Sequence, residues 1–190
     1  MEKATGAATF STDVALPGML YGKVLRSPYA HAEIVSIDTS EAEKQTGVKA
    51  VATYQNTPRN LFNASASFLL TAPPHEPIVD QYIFDSVVRY VGDEVAAVAA
   101  VSEKAAKEAL KLIKVEYEEL PVVFDPLEAN KPDAPDIHSH CKAGKNIPGG
   151  ITSFSEGDVS KGFEECDVIY EGTFKLPVQK QAQLETHAAV

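Results

Sequence analysis

Residues able to do chemistry are few and scattered along this 190-residue chain. His138, His140 and Cys141 form the densest group, and imidazole with thiolate is a donor set for Zn²⁺ or Ni²⁺. They offer three donors with no fourth in register, on a stretch rich in Pro and Gly. That composition fits a solvated polar linker better than a closed metal site. Asp93-Glu94 sets two carboxylates after Gly92 and before an apolar run. A carboxylate held there away from water could act as a base, but an acidic pair at a hairpin tip is the simpler reading. His31 stands at the start of a strand-like segment and reads as a structural histidine. Glu185 and His187 flank Thr186, and a strand would put both on one face. Neither Cys141 nor Cys166 has a neighbour that would activate a thiol, so neither is assigned as a nucleophile. The chain contains no phosphate-cradling glycine loop and no Gly-x-Ser-x-Gly elbow. From residue types alone there is no complete catalytic set and no metal site.

Charge narrows the partners. The chain has 17 Lys+Arg against 27 Asp+Glu, a formal net charge of −10, and a pI near 4.9. Phosphate backbones and anionic lipid surfaces repel such a chain, so neither nucleic acid nor membrane is an expected partner. The longest nearly uncharged apolar run, Val95 to Val101, is far below the roughly 20 residues of a membrane span. Met1 to Phe10 lacks the basic start and apolar block of a secretory signal. Two cysteines cannot make a disulfide framework or a four-cysteine cluster. The expectation is a cytoplasmic protein with one real core and an appendage.

The elements that must position these residues are legible from pattern. Met19 to Arg26 and His31 to Ile37 read as strands, with Ser27-Pro28 between them. Ser40 with Glu43 has capping-box spacing, and Gly47 is placed to end the short helix that follows. Val48 to Tyr54 reads as a third strand. Thr57 to Asp80, with four prolines, reads as an irregular excursion in which Ser67 to Leu70 makes apolar contact. Val88 to Val91 reads as a strand, Gly92-Asp93 as a tight turn, and Glu94 to Val101 as a strand buried on both faces. Ser102 is the expected N-cap of a helix whose apolar stripe is Ala105, Ala106, Ala109, Leu110, Leu112 and Ile113. Val115 to Glu118 alternates with period two and completes a β-α-β arrangement, right-handed if its strands are parallel. Asn130 to Gly157 reads as linker, Asp158 as the cap of a short helix, and Asp167 to Leu176 as a strand. The alternation closing on Ala188-Ala189-Val190 looks like a strand being started, so a cut chain, or completion by another subunit, is expected.

Several ordered pieces together carry a resemblance. They are Thr5-Gly6, Tyr21-Gly22, Arg26-Ser27-Pro28-Tyr29-Ala30-His31-Ala32, Ile37-Asp38 and Gly47-Val48-Lys49-Ala50-Val51. Val91-Gly92-Asp93-Glu94-Val95-Ala96-Ala97-Val98 and Val115-Glu116-Tyr117-Glu118-Glu119-Leu120-Pro121 follow in order. This set closely resembles the molybdenum-binding large subunit of the xanthine dehydrogenase and aldehyde oxidase family, of the 4-hydroxybenzoyl-CoA reductase, aldehyde oxidoreductase or nicotinate dehydrogenase type. The resemblance implies an α+β fold: an a/b hammerhead domain with a mixed sheet and a β-α-β unit over residues 1–128, an extended linker over 129–157, and the incomplete start of a molybdopterin-binding domain over 158–190.

The resemblance also implies a function. Family members carry out two-electron oxidoreduction at an aldehyde, an N-heterocycle or an aryl-CoA thioester. Molybdenum in molybdopterin cytosine dinucleotide does the chemistry, and [2Fe–2S] centres and FAD on other domains or subunits take the electrons. The family's base and most pterin loops lie downstream of the matched segment, so no cofactor is expected on this chain alone and no catalysis by it. Gln179, shortly before Leu184-Glu185-Thr186-His187, matches a glutamine that approaches an oxo ligand of molybdenum, to which an amide can donate. Implied partners are the remainder of the large subunit, the iron–sulfur and flavin subunits, and a second copy of the chain paired through the tail strand. The alternative is a non-catalytic docking module, or a split subunit, of such a complex.

Overall fold

The structure, a computed structural model, describes residues 2–62, 79–139, 146, 154–180, 182, 183, 185 and 187–190. Along the chain the elements are α1 (Glu2–Thr5), β1 (Tyr21–Arg26), β2 (Ala32–Asp38), α2 (Ser40–Lys44) and β3 (Val48–Thr53). They continue with β4 (Val87–Val88), β5 (Glu94–Ala100), α3 (Glu103–Leu110), β6 (Lys114–Glu119), α4 (Pro126–Ala129) and α5 (Val159–Glu164). They fall into two compact units: Gly18–Ile151, and Met1–Pro17 together with Thr152–Val190.

The larger unit is built around β5. One sheet runs β1-β5-β3 and a second runs β4-β2-β6, all pairs antiparallel. Side chains alternate across a strand, so β5 presents Ala96, Val98 and Ala100 to one side and Val95 to the other. Ala96, Val98 and Ala100 join Val51, Ala42, Ala106, Ala109 and Ile113, so this side packs on α2 and α3. Val95 joins Ala32, Ile34 and Val88 of the second sheet. Alanines on both β5 and α3 allow close approach of helix and sheet. Gly47 shows how close: with φ of +91° it is left-handed, and a Cβ there would lie 2.9 Å from Val101 Cγ2.

The expected β-α-β order is present, but β5 and β6 lie in different sheets. The crossover therefore joins two antiparallel sheets, and no mixed sheet is formed among the described residues. Local sequence gives the order of elements; which strands pair depends on distant β1 and β3, which flank β5. The cap of α3 is as expected, with Ser102 Oγ accepting from Ala105 N at 3.2 Å. The cap of α2 is not. Ser40 is already helical, its N–H donates to Asp38 Oδ1 at 2.9 Å, and Thr39 Oγ1 donates to Glu43 Oε1 at 2.7 Å. Asp38, just before the helix, thus takes the part assigned to Ser40. The expected strand over Val88–Val91 is cut to Val87–Val88, because the chain must already turn at Tyr90 to reach Gly92. The Ser67–Leu70 contact lies outside the described residues.

In the smaller unit, Asp158 caps α5 by accepting from Lys161 N at 3.1 Å. Asp167 to Leu176 forms no strand and pairs with none among the described residues, contrary to the expected strand. Alternation records a face that wants cover, and without a partner strand the backbone ladder cannot form.

Candidate functional site

Three of the sequence motifs meet at one junction. Arg26 ends β1 at a bulge against β5. Ser27 is buried, its N–H donating to Asp93 O and its carbonyl accepting from Gly92 N, both at 2.8 Å. Gly92, at φ +99°, makes the turn that brings these groups together. Arg26 Nη1 donates to Gly92 O at 2.7 Å and to Glu94 Oε1 at 2.6 Å. Tyr90 Oη donates to the other Glu94 oxygen at 3.1 Å. The third motif closes the other side. His31 is buried and its Nδ1 donates to Pro121 O at 2.7 Å, while Leu120 N donates to His31 O at 3.0 Å. The Tyr29 and Tyr117 rings pack with centroids 5.0 Å apart. His31 is thus structural, as its type and position suggested.

The Asp93-Glu94 pair is not a free hairpin tip. Asp93 Oδ2 accepts from Arg89 N at 2.8 Å and Oδ1 from Glu94 N at 3.0 Å. Burial raises the Asp93 pKa, only partly offset by those backbone bonds. Burial, and then the charges of Asp93 and Glu94, push the Tyr90 hydroxyl up to about 12. These residues line a cleft of about 670 Å³ whose walls include Phe62, Tyr82 and Ile83. Asp80, Asp85 and His138 also reach it.

Asp85 is the anchor beside the cleft. Its Oδ1 accepts from Arg59 Nη2 at 2.7 Å and its Oδ2 from Arg89 Nη1 at 2.8 Å. Burial pushes its carboxyl up, but the bonds from Arg59 and Arg89 outweigh that and hold the pKa below its ordinary value. Arg59 also lies over the Tyr82 ring, 4.2 Å from the centroid. The sequence offered little sign of this cluster. Only the four-residue spacing of Asp85 and Arg89 hinted at it, and that spacing implies a pair only on a helix, which this segment is not.

The other candidates do not converge. His138 lines the cleft, whereas His140 and Cys141 lie outside the described residues. Among the described residues no group of three or more His, Cys, Asp or Glu is arranged to hold a metal. Glu185 accepts from Ser11 N at 3.1 Å and Ser11 Oγ at 3.0 Å, which pulls its pKa down, and the Gln183 amide donates to His187 Nε2 at 2.6 Å. Cys166 is an exposed free thiol donating to Gly162 O. Gln179 is exposed, as is its neighbour Val178.

The junction and its two antiparallel sheets define a hammerhead domain. The family model described as "Aldehyde oxidase and xanthine dehydrogenase, a/b hammerhead domain" matches residues 5–121, and the chain belongs to the aldehyde oxidase and xanthine dehydrogenase family. It is 43% identical over 192 residues to a probable xanthine dehydrogenase subunit of Bacillus subtilis, spanning 99% of this chain and 23% of that protein. It is 36% identical to the nicotinate dehydrogenase large molybdopterin subunit of Eubacterium barkeri, spanning 100% of this chain and 41% of that protein. The aldehyde oxidoreductase of Desulfovibrio gigas superposes with a TM-score of 0.67 at 29% identity, over 88% of this chain and 18% of that one. The chain therefore spans less than half the length of each of these proteins.

Gln179 stands in exposed surroundings. Its neighbours Leu176 and Val178 are exposed, and no glycine of the described tail makes a cradle there: the close neighbours of Gly172 are the Tyr170 and Phe174 rings. Among the described residues, no helix is long and apolar enough to cross a membrane.

Proposed function

We propose that this chain is the hammerhead-bearing front part of a molybdenum hydroxylase large subunit, and that its role is structural. The observation that supports this is the junction itself. Motif residues that carry the resemblance hydrogen-bond one another there: Arg26 and Ser27 with Gly92, Asp93 and Glu94, and His31 with Leu120 and Pro121. A segment whose signature residues are consumed in folding serves as scaffold. The domain reading is 1–128 hammerhead, 129–157 linker and 158–190 start of a molybdopterin-binding domain.

In the whole enzyme, molybdenum in molybdopterin cytosine dinucleotide would supply two-electron chemistry on an aldehyde, an N-heterocycle or an aryl-CoA thioester. [2Fe–2S] and FAD on other domains or subunits would receive the electrons. The isolated 190-residue chain carries no such activity in this reading. Gln179 belongs to it only as a residue that reaches a molybdenum oxo ligand once the tail is packed. The exposed tail from Val168 to Val178 supports docking: covered by the remainder of the large subunit, its alternating face becomes a strand. A homodimer through this strand is the second way to cover it. The compartment in this reading is the cytoplasm.

The test is a chimaera in which residues 1–190 replace the matching segment of the Bacillus subtilis relative, co-expressed with iron–sulfur and flavin partners. A scaffold role predicts an assembled complex holding molybdenum near one per large subunit. A folded, assembled chimaera without molybdenum would refute it.

A further inference from the structure

The cleft beside the junction is unused by the scaffold role. It measures about 670 Å³, within the range of small-molecule sites, and lies wholly in the larger unit. Its walls combine aromatic rings, Tyr82 and Tyr90 among them, with the carboxylates of Asp80, Asp85, Asp93 and Glu94 and with Arg89.

The charges around it are unequal. Asp85 is satisfied by two guanidiniums, and Glu94 by Arg26 and Tyr90. The Asp93 oxygens accept from backbone N–H groups, and no cationic side chain bonds them among the described residues. Of the charged groups at the cleft, the carboxylates of Asp80, Asp85, Asp93 and Glu94 outnumber the guanidiniums of Arg26, Arg59 and Arg89, and Asp93 is the carboxylate that none of these guanidiniums bonds, which leaves the cleft net negative. Anions are therefore disfavoured. Bare metal ions are disfavoured too, because the lining is partly apolar and no three-ligand group is arranged there among the described residues.

The cleft wall already displays the chemistry it favours. Arg59 lays its guanidinium over Tyr82 while bonding Asp85, which pairs an aromatic face with a carboxylate around a planar cation. Tyr90 and Asp93 offer the same pair of groups on the lining of the same cleft. We propose that this cleft binds a small organic cation bearing a guanidinium or primary ammonium group, with the cationic end at Asp93 and the stem along Tyr82 and Tyr90. This inference stands apart from the molybdenum reading, since it rests on the larger unit alone.

The experiment titrates agmatine, and the neutral butylurea as its control, into the purified 190-residue chain. Binding is followed by calorimetry and by amide NMR shifts at Gly92, Asp93 and Glu94. The expected result is saturable binding of agmatine at millimolar or lower concentration, weakened by salt, with no matching response to butylurea. Asp93→Asn should weaken agmatine by about tenfold or more, the effect of losing one close opposite charge. Tyr82→Leu, which leaves the Asp93 hydrogen bonds untouched, should weaken it several-fold and keeps the test decisive if Asp93→Asn fails to fold. Lys107→Ala, on the exposed face of α3, should change nothing. An equal response to butylurea, no saturation, or agmatine binding unchanged in Tyr82→Leu would each overturn the assignment.

Discussion

The two units of this chain use the same residue types in opposite ways. In the larger unit Val95 and Ala96 are 0% exposed, held between a helix layer and a second sheet. In the smaller unit Leu176 and Val178 are 89% exposed, although their alternating pattern resembles that of a strand. The difference is one of partners. β5 has a strand on each edge and cover on each face, so each apolar side chain removes area from water. The tail has the pattern and lacks the cover, so its apolar residues contribute little to stability as the chain stands. One unit has a finished core; the other leaves its apolar side chains exposed.

The sharpest way to break this comparison is to put a charge in each region. Val98→Asp buries a carboxylate where the side chain is 1% exposed, and should unfold the larger unit, a loss of more than about 4 kcal/mol. Val178→Asp should shift the melting curve by no more than about 0.5 kcal/mol. Equal effects in thermal denaturation would end the distinction.

Next in size is the ion cluster by the cleft. Asp85→Asn should cost about 2–3 kcal/mol at pH 7, because two guanidiniums lose a charged acceptor. The sign with pH follows from the lowered folded pKa of Asp85. Its contribution is fully present above the ordinary value of 3.8 and is lost as pH falls through the lower folded pKa. Urea titrations of both proteins should therefore converge at the acid end. Asp93 works the other way: its raised pKa favours folding below 3.8, and that advantage is lost as pH rises through the folded value.

Gly47→Ala comes third. A left-handed residue with a methyl forced to 2.9 Å from Val101 should lose about 2 kcal/mol, read as a lower urea midpoint at unchanged slope. Smallest is the cap of α3, where Ser102→Ala should cost about 1 kcal/mol. Asp158→Ala, the matching change at α5, should fray that helix in amide exchange while leaving the larger unit's midpoint in place.

The sequence revealed the elements better than their assembly. Alternation and turn residues located β1, β2, β3, β5 and β6, and Ser102 marked the start of α3, because these depend on neighbours a few residues away. The separation of β5 and β6 into two sheets was hidden, since it depends on β1 and β3 flanking β5 from far along the chain. The same reason hid the junction: Arg26 and Glu94 are 68 residues apart, and each motif read alone was ordinary. The Asp85 cluster fell in a stretch with no period to read. The tail erred in the opposite direction: its alternation signalled a strand, yet its apolar and polar residues alike are exposed and no strand forms among the described residues.

The most direct measurement is the molybdenum content and turnover of the purified 190-residue chain, expressed in cells that make the cofactor. Metal analysis should find molybdenum far below one per chain, and hypoxanthine, nicotinate and an aromatic aldehyde should each fail to reduce an acceptor dye in its presence. One tightly bound molybdenum per chain, with substrate-dependent reduction of the dye, would contradict the scaffold account.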